Sequence, residues 1–423
     1  MGNLLIANAR VFTAGVPDAE PVDVLIKDGR IAAIGPGVGN GLSHGETRGG
    51  AHGETHGGAH GGAHGEAQVL DARGASVTPG LLDAHCHAYG VSLSLDEMEH
   101  WPLSLIALKA ARRLEAALRR GFTTVRDVGG GDPGLAQAIR EGLLRSPRYL
   151  YTGPALSQTG GHGDGRDPLL GGTPGCGCCT NVIDGPDRMR VRVRELLWQG
   201  AHAIKLLTSG GVVSPADPLA IPQFSPAEIQ VAVEEATRRG TYVTAHAYSP
   251  AAIKHSVENG VRCIEHGNLL DEETAAMMAA AGASLIPTLA AYDAMDRRGD
   301  QVGLTPVGRE KNTQVLAAGK EAVKIARAAG VRIGFGTDLM GALEDEQLQG
   351  LRLQCEVEGI ERTLEAATAT NAAIFGLSDV GRVQEGFVAD LLVFTGNLRE
   401  QPELLWEGRR TVIQAGEIVS PCC

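Results

Sequence analysis

The chain opens and closes in short apolar runs and spends its middle in a longer rhythm. Residues 4–7, 22–26 and 31–34 carry apolar side chains over four or five positions, the length and spacing of strands. Asp28-Gly29 is a two-residue hairpin signal between the second and third runs. The tail turns strand-like again at 388–394 and 411–416. These runs are expected to pair with the first ones, so that both chain ends build one small β-domain. Between them, strand-like runs at 122–127, 149–151, 203–207, 242–246, 262–266, 284–287 and 332–338 alternate with helical stretches such as 104–119, 187–199, 226–238, 272–281 and 307–329. Together with a strand ending near residue 87 they make eight βα-type units. The pattern predicts an α/β fold, a (β/α)8 TIM-like barrel with a small β-sandwich domain. The expected division is 1–74 for the first part of the sandwich, 75–378 for the barrel and 379–423 for the rest of the sandwich.

One stretch breaks the alternation. From His44 the chain runs in four-residue units such as His-Gly-Glu-Thr and His-Gly-Gly-Ala, with no large apolar residue to bury. Residues 41–67 therefore read as a disordered insertion in the β-domain. Its histidines, His44, His52, His56, His60 and His64, fit a tolerated repeat expansion better than a metal-capture tract.

Composition narrows the classes. A net charge of -12 argues against nucleic acid, which needs a basic face. No apolar run reaches the roughly 18 residues of a membrane span. The first residues alternate like a strand and lack a basic region followed by an apolar core, so a cytoplasmic location is expected unless a leader has been trimmed. Eight cysteines do not form a small-domain disulfide framework. Cys86 and Cys263 sit in apolar runs as ordinary buried thiols. Cys176, Cys178 and Cys179 cluster in a glycine-rich loop, where a disulfide or free thiols are expected rather than a zinc knuckle. Cys422 and Cys423 end the chain without an assigned chemistry.

The informative chemistry begins at Pro79-Gly80-Leu81-Leu82-Asp83-Ala84-His85-Cys86-His87. In a strand, alternate side chains share a face, so His85 and His87 point together and can bind one metal ion. His246 ends the fifth strand-like run and His266 the sixth; Asp338 ends the eighth. Lys205 lies inside the fourth, flanked by Ile204 and Leu206, so its amine points inward. Each has an ordinary explanation taken singly: a hydrogen-bonded core histidine, a helix cap, a snorkelling lysine. Six such residues at the ends of five strands point to one metal site on one rim.

At this point the sequence resembles the amidohydrolase superfamily over nearly its whole length. The matching stretches are 80–87, Thr123-Thr124-Val125-Arg126-Asp127, the Lys205 run, the two single-histidine runs, Gly336-Thr337-Asp338, Thr370-Asn371-Ala372-Ala373 and Gly386-Phe387-Val388-Ala389-Asp390-Leu391. The resemblance implies two divalent ions, zinc first among them, bridged by a carbamylated Lys205. His85, His87 and Asp338 would hold one ion and His246 and His266 the other. Water between two such cations loses a proton near pH 7, by the precedent of zinc sites at about 7. Asp338 would pass that proton to the leaving nitrogen.

Three further stretches, 157–164, 208–215 and 245–248, are similar to those of Xaa-Pro and Xaa-Arg dipeptidases and carboxypeptidases and of ochratoxin-hydrolysing amidases. The implied reaction cleaves the amide of an N-acyl-amino acid or dipeptide with a free carboxylate, ochratoxin-like N-acyl-phenylalanine amides included. His162 is placed to hydrogen-bond the substrate carbonyl or oxyanion. Tyr248, two residues beyond His246, is placed to bind carboxylate or carbonyl. Tyr89 and Arg166 are rim candidates for substrate binding. The competing readings are a cyclic-amide hydrolase of the imidazolonepropionase type and a catalytically inactive scaffold. The expected partners are a small amide or dipeptide substrate and further copies of the chain.

Overall fold

The computed structural model describes residues 3–12, 20–39, 44–45, 67–166, 177, 179–214 and 217–420. Two compact units emerge: Met1–Leu81 with Arg119–Gly121 and Ile360–Cys423, and Leu82–Leu118 with Phe122–Gly359. Most of the histidine-glycine segment lies outside the described residues, as do Cys176, Cys178, Cys422 and Cys423. At the margins of that segment the backbone is regular rather than disordered: His44–Gly45 pairs in parallel with Ala67 and Gln68. Cys86, Cys263 and Cys355 are free thiols.

The first unit joins both chain ends in one strand system. Its order is Glu417–Ser420, Arg410–Gln414, Leu391–Phe394, Ser76–Pro79, Asn3–Val11, Val22–Lys27 and Arg30–Gly35. The link is the antiparallel pairing of Leu391 with Pro79 and Val393 with Val77. Asn3–Val11 serves two neighbours in turn. Its first half runs parallel to Ala67–Asp71 and its last residues parallel to Ser76–Pro79. Between the halves, Asn8 takes φ 53, a left-handed conformation that asparagine tolerates, and the ladder to Val22–Lys27 shifts register there. Asp28 and Gly29 both have positive φ, 49 and 75, as a type I′ hairpin requires. Ile6, Val24, Ile26, Ile31, Val77, Leu391 and Ile413 form the core, fully or almost fully buried.

In the second unit, parallel strands alternate with helices. One sheet has the order Thr180–Val182, Ala155–Ser157, Ile204–Leu207, Val243–Ala247, Cys263–His266, Ser284–Ile286 and Arg332–Ile333. A second has the order Leu81–Cys86, Phe122–Asp127 and Arg148–Tyr151. Single backbone hydrogen bonds run between them: Ala84 N donates to Phe335 O at 2.9 Å, Asp338 N to His85 O at 2.8 Å and His202 N to Tyr151 O at 2.7 Å. The run expected as a strand over 332–338 is laddered only at Arg332–Ile333, and the rest follows the His85 strand through these isolated bonds.

The helices begin where local chemistry tells them to. Pro226–Arg238 starts with Ser225 and Glu228 in a reciprocal capping box, with Pro226 in the first turn. Its buried face, Ile229, Ala232 and Ala236, packs into the core shared with Leu206, Val243 and Ile264. Large aliphatic side chains in such a core contribute about 1.5–3 kcal/mol each. Arg190 and Arg194, on Pro186–Trp198, both reach Glu235 and tie these two helices together. No helix among the described residues is long and apolar enough to cross a membrane.

Candidate active site

Strand register brings the candidate residues to one end of the sheet. Lys205 is level with Thr244, Leu207 with His246, and His246 with Glu265. In parallel strands, level residues share a face, so Lys205, Thr244, His246 and Glu265 look inward together. By the same alternation His266 would look outward. Its backbone instead takes φ 76, and Asp338 takes φ 56. Left-handed backbone at non-glycine residues costs about 1–3 kcal/mol and clusters at functional sites. Here it turns the last side chain of a strand into the same space as the one before it.

The side chains meet closely. His85 Nε2 lies 3.2 Å from His87 Nε2 and 3.2 Å from Asp338 Oδ1. His87 Nε2 lies 2.8 Å from Asp338 Oδ1, and His266 Nδ1 lies 3.8 Å from Asp338 Oδ2. His85, His266 and Asp338 each offer a ligand atom within 4.8 Å of the others. The His246 ring sits 4.5 Å from that of His266 and stacks on that of His162 at 4.5 Å. Lys205 is 2% exposed and lines the same cavity, and among the described residues its amine makes no hydrogen bond or ion pair. Burial brings that amine down to about 8, against the pull of Glu265 and Asp338.

The charges are unevenly spread. Burial alone would raise the Asp338 carboxyl, but His85, His87 and His266 outweigh it and hold it well below the usual carboxylate range. Burial pushes His246 and His266 well below an ordinary imidazole, which keeps both rings neutral. Burial and Lys205 also press on His85, yet Asp338 and Glu265 prevail and raise it. His266 Nδ1 rests on two hydroxyls, those of Thr288 and Tyr292, each at 2.8 Å.

His162 enters from its glycine-rich loop and is fixed by its own network. Its Nδ1 meets Ser214 Oγ at 2.7 Å, and Ser214 donates to Asp217. The Gln223 side chain receives the His162 amide at 3.1 Å and donates to Asp217 at 3.2 Å. From the Pro306–Ala328 helix, the Lys311 amine donates to the carbonyls of Gly211, Ser214 and Asp217 at 3.0, 2.6 and 2.6 Å. Gly211 is packed so tightly that a Cβ there would fall 2.0 Å from His162 Cε1. Tyr248 stacks on His266 with ring centroids 5.0 Å apart, and its hydroxyl meets that of Tyr292 at 2.9 Å. Leu93, Val212, Val213, Met295 and Met340 give the cavity an apolar wall.

The structure thus gathers His85, His87, His162, Lys205, His246, Tyr248, His266 and Asp338 around one cavity. It does not bring Tyr89 or Arg166 there. Tyr89 is buried with its hydroxyl donated to Asp132 at 2.7 Å. Arg166 is paired to Asp164, two residues away, at 2.6 Å. Sequence reading missed the residues that hold the site in place: Asp83, Thr288, Tyr292, Ser214, Asp217 and Lys311. Asp83 carried a signal, since a carboxylate inside an apolar strand must find partners. It accepts from the His85 amide, from Thr337 and from Gln347.

Comparison with known proteins agrees with this geometry. The model of the amidohydrolase family matches residues 76–419. The chain belongs to that family and is a hydrolase of amide or peptide bonds. It is 31% identical to the ochratoxinase of Aspergillus niger over 356 residues, 78% of this chain and 72% of that protein. A prolidase crystallised with N-methylphosphonate-L-proline superposes with a TM-score of 0.89 at 36% identity, over 99% of this chain and 100% of the other. A Xaa-Pro dipeptidase with methionine in its active site superposes at 0.82 and 25% identity, over 99% and 100%.

Proposed function

We propose that the chain is a binuclear-metal amidohydrolase that cleaves N-acyl-amino acids or dipeptides with a free carboxylate. The two parallel sheets of the second unit close as a (β/α)8 barrel over 75–378, and residues 1–74 and 379–423 form a β-sandwich. The bonds from Ala84 to Phe335 and from His202 to Tyr151 support that closure.

The donor set fits divalent ions, which the family usually holds. Three converging donors of imidazole and carboxylate type suit zinc. The observation that carries the reading is Lys205: a buried amine with no hydrogen bond or ion pair among the described residues, lining one cavity with histidines and an aspartate. An unpaired buried ammonium is costly, and an amine near 8 is readily neutral, the form that takes up carbon dioxide as a carbamate. His85, His87 and Asp338 would hold one ion, His246 and His266 the other, with carbamylated Lys205 between them. When bound, the ions polarise the amide carbonyl and lower the pKa of water toward about 7.

The chain's own groups do the rest. Asp338 takes a proton from the attacking water at its carboxylate. As the new C–O bond forms and the C–N bond breaks, it returns that proton to the leaving nitrogen. His162 donates from Nδ1 to Ser214, whose own proton goes to Asp217, so its Nε2 would meet the substrate carbonyl oxygen or carboxylate only as the second donor of a protonated ring. Tyr248 borders the same space from the His266 side and would bind the other end. The apolar wall of Leu93, Val212, Val213, Met295 and Met340 suits a hydrophobic group, as in N-acyl-phenylalanine amides of the ochratoxin kind. Two similar proteins, an ochratoxinase and a prolidase, lean the same way.

The test is a library of N-acyl-amino acids and dipeptides, scored for free amino acid released, with metal analysis on the same sample. The expected result is release from several hydrophobic members, with two equivalents of zinc. No release and less than one equivalent of metal would leave an inactive scaffold instead. Turnover of cyclic amides alone would favour the imidazolonepropionase-type reaction.

A further inference from the structure

Two charged side chains beside the site are fully buried and take no part in the chemistry above: Arg126 and Glu265. Arg126 Nη2 donates to Glu265 Oε1 at 2.6 Å, Nη1 to the Tyr242 hydroxyl at 2.8 Å, and Nε to the Ala84 carbonyl at 2.8 Å. Thr244, on the strand between them, donates its hydroxyl to the same Glu265 oxygen. The other oxygen of Glu265 meets His85 Nδ1 at 2.7 Å. Four strands thus contribute to one buried chain of hydrogen bonds that ends on the His85 ring.

Core stability does not account for this arrangement. A buried ion pair seldom outperforms apolar residues of equal volume, because both ions lose their water. What the pair does provide is direction. The two nitrogens of an imidazole are distinguished only by what each one bonds.

We propose that Glu265, clamped by Arg126 and Thr244, is a positioning residue for His85. It accepts the Nδ1 proton, fixes the ring's tautomer and tilt, and leaves Nε2 toward His87 and Asp338. Arg126 works at both ends, since one guanidinium grips the carboxylate and the carbonyl of the residue before His85. The inference rests on reading His85 as a metal ligand. A ligand histidine whose far nitrogen bonds a carboxylate is both better aimed and more basic toward a cation.

The test uses the metal alone. Chelator-stripped protein is titrated with Zn2+ in competition with a chromophoric chelator, and thermal melting of the stripped protein is recorded beside it. Glu265→Gln keeps the shape and removes the charge, and one of the two sites should bind zinc roughly 10- to 100-fold more weakly. Thr244→Val removes one neutral hydrogen bond and leaves every charge in place. It should weaken the same site by about fivefold, and it carries the test if Glu265→Gln does not fold. Wild-type affinity and stoichiometry in either folded variant, with only the melting temperature lowered, would overturn the proposal and leave a structural ion pair. An unmutated chain that binds no zinc would fail earlier, at the metal reading itself.

Discussion

His85 and His266 stand 4.9 Å apart, ring to ring, and their Nδ1 atoms meet opposite kinds of neighbour. His85 leans on the buried carboxylate of Glu265, with Arg126 behind it. His266 leans on the hydroxyls of Thr288 and Tyr292, and its neighbour His246 on the carbonyl of Gly210 at 3.1 Å. One half of the cluster has an ionic brace and the other a neutral one. The result shows in their acidity: His85 is raised above an ordinary imidazole, while His266 and His246 lie well below. Two rings of the same type, nearly in contact, are prepared differently: Asp338 and then Glu265 raise His85, whereas burial prevails at His266.

Asp338 spans both halves, so its loss should be felt most. Asp338→Asn is expected to lower kcat by roughly 10³-fold, measured on the best substrate of the panel, with the folded state retained. A loss below tenfold would mean that the proton moves elsewhere. Lys205→Ala should come next, with activity largely lost and partly restored by added short carboxylic acids that replace the carbamate. Native mass spectrometry of the unmutated chain should show the added mass of one carbon dioxide, and its absence would remove the bridging role. The smallest effect should follow Tyr292→Phe, which takes one hydroxyl from His266. Zinc affinity is expected to fall by about fivefold, clearly less than for Glu265→Gln. An equal or larger fall would erase the distinction between the two braces.

Much of this was legible in the chain before any coordinates. An apolar run that stops at a histidine or an aspartate marks the end of an inner strand. That rule picked out His85, His87, His246, His266 and Asp338, and alternation within a strand picked out Lys205. The helix at 226–238 was found to the residue, because Ser225, Pro226 and Glu228 announce its start. What stayed hidden depends on contacts distant in sequence. Glu265 sat beside His266 in a quoted strand, yet its partners His85 and Arg126 are 180 and 139 residues away. Lys311 holds the Gly211 loop across 100 residues, and no local pattern marks it. Tyr89 and Arg166 were drawn toward the rim by their place in the chain, but nearer carboxylates claimed them. The left-handed turn at His266 is also not marked in the sequence, since only a small minority of histidines adopt it.

Gly211 carries a last consequence. Its α-carbon stands against the His162 imidazole so closely that even one methyl group would displace the ring. The bare backbone there acts as a template for a side chain that belongs to another loop. An alanine at this position would separate two properties that otherwise travel together. Ions would still be held by the opposite groups, while the substrate would lose its guide, giving a loaded but idle enzyme suited to trapping a bound amide intact.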